Sequence, residues 1–213
     1  MGLAWRMREA VRPVLLTAGV RWLTLVGPSS IAFKVLRAGW SNEGWSGDVA
    51  FLRAAWDRAT RAHRILECGS GLSTLVLSIA GRRTGTEIWS LEHVEEWQST
   101  INRALSRYAL RGRVLYTPLT SYGEFDWYAL PPGLPARFDL VVCDGPPEHT
   151  RGGRYGLVPA CRDRLRGATI LLDDADRAGE QRAMDAWVRE SGARCHLVSA
   201  EGGTYAVLEL PDA

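Results

Sequence analysis

The chain has 213 residues, of which 46% are hydrophobic and 23% charged, with a formal net charge of +2. This composition excludes a disordered, collagen-like or membrane-spanning chain, and charge so near balance gives no reason to expect a nucleic-acid partner. A chain of this length buries roughly 70% of the surface its unfolded form exposes, so it needs no disulfide or metal staple to fold.

The first 45 residues differ from the rest. They carry Trp5, Trp22, Trp40 and Trp45, and the break Gly27-Pro28-Ser29-Ser30 divides two apolar helical stretches. The opening stretch imitates a signal peptide in placing basic residues before an apolar run, but Arg21 interrupts that run and no small-residue cleavage site follows. The run is also too short to span a bilayer. It reads first as an amphipathic helix docked on the protein and second as a membrane-surface or partner-binding helix. Residues 1–45 are therefore set apart as a helical segment, a lid or a contact in a homodimer, and residues 46–213 as the unit that carries the chemistry.

A third helix is expected from near Ser46 to Asp48 to about Arg61, because Val49, Leu52 and Trp56 repeat at spacings of three and four. From residue 64 onward the apolar runs RILEC, TEIWSL, RVLYT, FDLVVC and ATILL alternate with helical patterns at 72–81, 94–110 and 177–190. That alternation predicts a parallel sheet with crossover helices. Trp97, Ile101, Leu105 and Tyr108 draw one buried helical face. The runs RCHLVSA and TYAVLEL, joined across Gly202-Gly203, predict an antiparallel hairpin. Cys68, Cys143, Cys161 and Cys195 form no C-x-x-C pair, which fits a reducing cytosol and reads Cys68 and Cys143 as small buried hydrophobes on adjacent strands.

The sharpest local signal is ILECGSGLSTL, a strand ending in Glu67 and Cys68, then Gly69 and Gly71, then Ser73 and Thr74 opening a helix. The glycines permit a tight turn and close approach of a ligand to the backbone. Thr74 stands where a dinucleotide fingerprint has its third glycine, and the carboxylate of Glu67 would repel a pyrophosphate while accepting hydrogen bonds from an ammonium group. At the end of the next strand, IWSLEH brings Glu92 to the same sheet edge, where a carboxylate takes both hydroxyls of a ribose.

At these residues the sequence resembles the class I S-adenosylmethionine-dependent methyltransferases, from about Arg64 to Leu210. Glu67, Gly69 and Gly71 match the family's first motif and Glu92 its ribose-binding acid. The terminal hairpin matches its antiparallel last strand. The resemblance implies an α/β, Rossmann-like doubly wound sheet of strand order 3-2-1-4-5-7-6, preceded here by the N-terminal helices. It also implies a cofactor site that includes Ser73, and it puts Thr117 and Pro118 where the family lines the adenine pocket.

Two further strand ends carry acids: Asp144 in FDLVVCDGPPEH, and Asp173 and Asp174 in ATILLDDADR. Three carboxylates converging at one site cannot all stay ionised without a compensating cation, and oxygen ligands of that number suit Mg²⁺ or a similar ion. The arrangement resembles that of catechol-type, metal-dependent O-methyltransferases. Those enzymes have a lysine three residues after the first acid, where this chain has Pro147, which leaves His149 as the candidate base. The metal-free reading has Asp173 and Asp174 capping the helix that begins near Arg177, and Asp144 orienting cofactor or acceptor. Arg151, Arg154 and Tyr155 read as facing the acceptor or as surface residues. Trp40, Trp45, Phe125, Trp127 and Tyr128 read as an acceptor pocket or as ordinary packing.

The function implied is cytoplasmic O-methylation of a small hydroxylated acceptor by S-adenosylmethionine. The alternatives are an NAD-dependent oxidoreductase and a catalytically inactive, methyltransferase-like interaction module.

Overall fold

A computed structural model describes residues 3–40 and 46–212. The N-terminal segment forms two helices, α1 (Leu3–Leu25) and α2 (Ser30–Gly39). The chain turns between them where expected, and Ser29 caps α2 by accepting from the Ala32 N–H at 3.1 Å. Helix α3 (Val49–Ala59) begins at Asp48, whose Oδ1 accepts the Phe51 N–H at 2.7 Å. Among the described residues no helix is long and apolar enough to cross a membrane.

Then β1 (Arg64–Cys68), α4 (Leu72–Ala80), β2 (Glu87–Glu92), α5 (Glu95–Arg107) and β3 (Arg113–Tyr116) follow in alternation. A small hairpin, β4 (Leu119–Ser121) with β5 (Asp126–Tyr128), precedes β6 (Leu140–Cys143). Strands of three residues carry too little alternation to read, and the sequence does not predict this hairpin. The short α6 (Leu157–Cys161), β7 (Thr169–Leu172), α7 (Ala178–Ser191), β8 (Arg194–Ala200) and β9 (Gly203–Glu209) complete the chain.

The main sheet has seven strands in the order β3-β2-β1-β6-β7-β9-β8. With the small hairpin set aside, this is the expected order 3-2-1-4-5-7-6. Strand β9 runs antiparallel to both β7 and β8. Successive side chains point to opposite faces of a strand, and the core divides accordingly. Ile65, Leu140, Val142 and Leu171 pack on one face with α1 to α5, whereas Leu66, Val141, Ile170 and Leu172 pack on the other with α6, α7 and the hairpin.

Helices α1 and α2 belong to the first of these cores. Val20, Leu23, Phe33, Leu36 and Trp40 are buried in it together with Phe51, Leu52 and Trp56. Phe33 meets Trp56 edge-on at 6.2 Å, and Trp40 meets Trp97 at 6.0 Å. Cys68 and Cys143 are register partners on β1 and β6, both fully buried, as expected for small core residues.

Candidate active site

The strand order reverses direction between β1 and β6, the place where open α/β sheets bind ligands beyond the carboxyl ends of their strands. A cavity of about 950 Å³ lies there, lined by residues following β1, β2, β6 and β7 and by Ser46 and Gly47 just before α3. Its size falls in the range of ligand pockets.

Gly69 turns the chain out of β1 with φ +85°. A Cβ on it would lie 3.0 Å from the Gly145 nitrogen and 3.1 Å from the Asp144 carbonyl carbon. Glycine is needed there twice over, for the left-handed backbone and for the contact between the ends of β1 and β6. Gly71 is different: its backbone is extended, and a Cβ would meet nothing within 4 Å. Space is open in front of it, but it stands outside the lining of the cavity.

Glu67 supports this turn from behind and does not line the cavity. It is fully buried, and its Oε2 accepts from Thr74 Oγ1 at 2.6 Å and from the Ser90 hydroxyl. Thr74 Oγ1 in turn accepts the Gly71 N–H at 2.9 Å. Burial raises the Glu67 carboxyl to about 7, against the pull of the neighbouring hydroxyls. Ser73 and Thr117, both buried, also stand off the cavity wall. The Thr117 N–H donates to the Glu92 carbonyl at 2.7 Å, which fastens β3 to the end of β2.

Glu92 does line the cavity. Its Oε2 accepts the Ser70 N–H at 3.1 Å and the Ser70 hydroxyl at 2.8 Å, and its Oε1 accepts the Val94 N–H at 2.9 Å. Burial alone would raise this carboxyl, but His93, 3.2 Å from Oε1, together with the Val94 and Ser70 donors, holds it below its ordinary value. It is a charged acceptor at neutral pH. Trp97, read from its spacing as core, also lines the cavity and donates from Nε1 to the Ser70 carbonyl at 2.8 Å.

Opposite Glu92, the ends of β6 and β7 bring Asp144, Asp173 and Asp174 together, one carboxylate oxygen of each lying within 4.8 Å of the others. The spacing of the acids in the sequence had pointed to this convergence. It had not revealed their partner. Arg154 borders the cavity, as the acceptor-facing reading expects, and at 4% exposed it is not a surface residue. From Nη2 it donates to Asp144 Oδ1 at 3.3 Å and Asp174 Oδ2 at 3.1 Å, and from Nη1 to the Asp173 carbonyl at 2.7 Å. Glu180, buried on α7, lies 3.5 Å from its Nε. Burial opposes the charge on Arg154, but the surrounding acids outweigh it and keep the guanidinium protonated.

Burial also raises Asp144 to about 6, against the pull of Arg154, and Asp173 to about 8 with help from the charges on Asp144 and Asp174. Neither Asp173 nor Asp174 caps α7 through its side chain, which corrects the capping reading. Arg177 is the residue before α7, and Asp174 Oδ1 pairs with it at 2.9 Å.

His149 is exposed at the cavity mouth. Of the aromatics, Tyr128 lines the cavity with a buried hydroxyl that has no hydrogen-bond partner among the described residues, Trp127 is core, and Phe125 lines a smaller neighbouring cavity of about 470 Å³. Trp40 packs on Trp97, and Trp45 lies outside the described residues. Arg151 ties down the β4–β5 hairpin through Asp126 at 2.6 Å, and Tyr155 lines the smaller cavity. The sequence reading missed Ser70, His93 and Arg177 as well. Ser70 had a usable signal, since a hydroxyl in a Gly-x-Gly turn stands within reach of the acid that ends the next strand.

No family model and no curated protein matches the chain. Solved structures do. An O-methyltransferase from Bacillus cereus in complex with S-adenosylhomocysteine (SAH) superposes with a TM-score of 0.62 at 15% identity, over 91% of this chain and 97% of that one. An SAH-bound Podospora anserina methyltransferase gives 0.61 at 16% identity, over 84% and 87%. A methyltransferase from Pyrococcus furiosus gives 0.54 at 15% identity, over 79% and 86%. With its strand order and antiparallel β9, this chain has the fold of the class I S-adenosylmethionine-dependent methyltransferases.

Proposed function

We propose that the protein transfers a methyl group from S-adenosylmethionine to an oxygen of a small hydroxylated acceptor. The observation that carries this reading is a single cavity with the Gly69 turn and the ionised carboxylate of Glu92 on one side and Asp144, Asp173 and His149 on the other. The residues fit the cofactor. The open space before Gly71 admits a ligand against the backbone, and the unpartnered Tyr128 hydroxyl is a buried polar atom that a polar ligand would satisfy.

When bound, S-adenosylmethionine supplies an electrophilic methyl group on a sulfonium. Glu92 would accept hydrogen bonds from the ribose hydroxyls, and Gly69 and Gly71 would let the turn approach the cofactor closely. Asp144 and Asp173 would orient the acceptor, with His149 taking the proton from its hydroxyl oxygen. For a displacement of this kind the protein contributes mainly position and electrostatics.

A divalent cation does not fit the three aspartates as they stand. Asp174 has both oxygens in ion pairs, with Arg154 and Arg177, and Asp144 Oδ1 is held by Arg154. Asp173 Oδ1 accepts the Asp174 N–H at 3.0 Å. An ion bound by all three would be set beside two guanidinium charges already paired with Asp144 and Asp174, which oppose a further divalent charge, so no step here is routed through a metal.

Calorimetric titration with SAH and separately with NAD tests the cofactor assignment, and a methylation screen of small hydroxylated compounds tests the acceptor class. Binding of SAH and not NAD is expected. Binding of NAD alone would replace the reading with the oxidoreductase, and no binding of either would favour a non-catalytic module.

A further inference from the structure

The carboxylate cluster at the ends of β6 and β7 already contains a cation. Arg154 reaches it from the one-turn 3₁₀ segment Gly153–Gly156 and spans both strand ends. Besides its ion pairs with Asp144 and Asp174, it donates to two main-chain carbonyls, those of Asp173 at 2.7 Å and Asp144 at 3.2 Å. A planar guanidinium bonded to backbone at both strand ends has little freedom to swing away. Glu180 backs it from α7.

We propose that Arg154 is the resident cation of this cluster: it pairs with Asp144 and Asp174, fixes both toward the cavity, and makes the site independent of divalent metal. Arg154 borders the cavity but is almost wholly buried and paired, so it acts through the two aspartates as a positioning residue. The inference deepens the proposed function. Where a metal holds an acceptor by two chelating oxygens, carboxylates hold it by hydrogen bonds that the acceptor donates. The acceptor class is then one that offers hydroxyl or amine donors beside the methylated oxygen, with no need for a vicinal pair of chelating oxygens.

The direct test is Mn²⁺ binding to the full chain, read by electron paramagnetic resonance, which does not depend on the methyltransferase reading. The wild-type protein is expected to leave the free Mn²⁺ signal unchanged up to about 1 mM ion, the weak end of carboxylate sites. Arg154→Met, which removes the competing charge and leaves the acids, is expected to take up Mn²⁺, and Arg154→Met combined with Asp173→Asn to lose it again. A wild-type site that binds Mn²⁺ and is abolished by Asp173→Asn overturns the proposal, as does a folded Arg154→Met that binds none. Should Arg154→Met fail to fold, the wild-type titration and its Asp173→Asn control still decide.

Turnover adds a second readout. Full activity after exhaustive chelation is expected once an acceptor is found, and loss of activity restored by Mg²⁺ overturns the proposal. If SAH does not bind at all, the proposed function fails while the Mn²⁺ result stands by itself.

Discussion

Ser70 donates to Glu92 Oε2 from both its backbone N–H, at 3.1 Å, and its hydroxyl, at 2.8 Å. The turn after β1 and the acid ending β2 are thereby one hydrogen-bonded unit, and Glu92 is fixed in orientation before any ligand arrives.

Glu92→Ala is expected to weaken SAH binding at least tenfold, because charge-assisted hydrogen bonds contribute roughly 1.5–3 kcal/mol each. Calorimetry measures it. An unchanged dissociation constant would remove Glu92 from the cofactor site.

Gly69 and Gly71 should separate stability from binding. Gly69→Ala forces a side chain into φ +85° and against Gly145, and is expected to destabilise the protein by about 1–3 kcal/mol. Gly71→Ala meets no protein atom, so its melting temperature should be near that of wild type while SAH affinity falls. Thermal melts with and without SAH distinguish the two.

The raised carboxyl of Glu67 makes stability fall with increasing pH. Folded Glu67 holds its proton up to about 7, whereas the ordinary value is 4.5, so between those values the native state binds more protons than the unfolded one. Each pKa unit corresponds to 1.36 kcal/mol, which makes the loss across this window on the order of 3 kcal/mol. Asp144 and Asp173, also raised, add to it in the same direction. Glu67→Gln cannot ionise, so denaturant unfolding from pH 4 to 8 should show a flatter profile for this variant and a stability gain over wild type that grows toward pH 8. A gain that shrinks with rising pH would contradict the sign.

His149→Ala is expected to lower turnover by about 10²–10⁴ and leave SAH affinity unchanged, as for a general base that touches only the acceptor. Steady-state rates paired with SAH titration provide the check. A loss of SAH affinity would put His149 in the cofactor site instead.

Phe33→Ala should cost about 3–5 kcal/mol, the usual cost of emptying a buried aromatic site, since Phe33 is fully buried against Trp56. Chemical denaturation measures it. A cost under about 1 kcal/mol would show α2 to be a loosely attached appendage.

Periodicity and turn chemistry are local properties, and what depends on them can be read along the chain. The alternation from Arg64 onward, the Gly202-Gly203 hairpin, the Asp48-led helix and the carboxylates at four strand ends were all legible. So was the edge of the sheet on which they meet, because parallel strands carry their following loops to one side. The β4–β5 hairpin was not legible, since strands of three residues leave too little pattern to read. Nor was the role of Arg154. In the sequence it is one arginine among many in a glycine-rich loop, and only the approach of that loop to the ends of β6 and β7 takes its guanidinium out of water and sets it against Asp144 and Asp174. The same holds for Glu67, whose charge suggested a ligand contact until the fold set the turn between it and the cavity. Which polar groups exist is written along the chain, but which of them are desolvated, and against which partner, depends on contacts between segments far apart in sequence, and that distinction separates a surface arginine from the cation of the site.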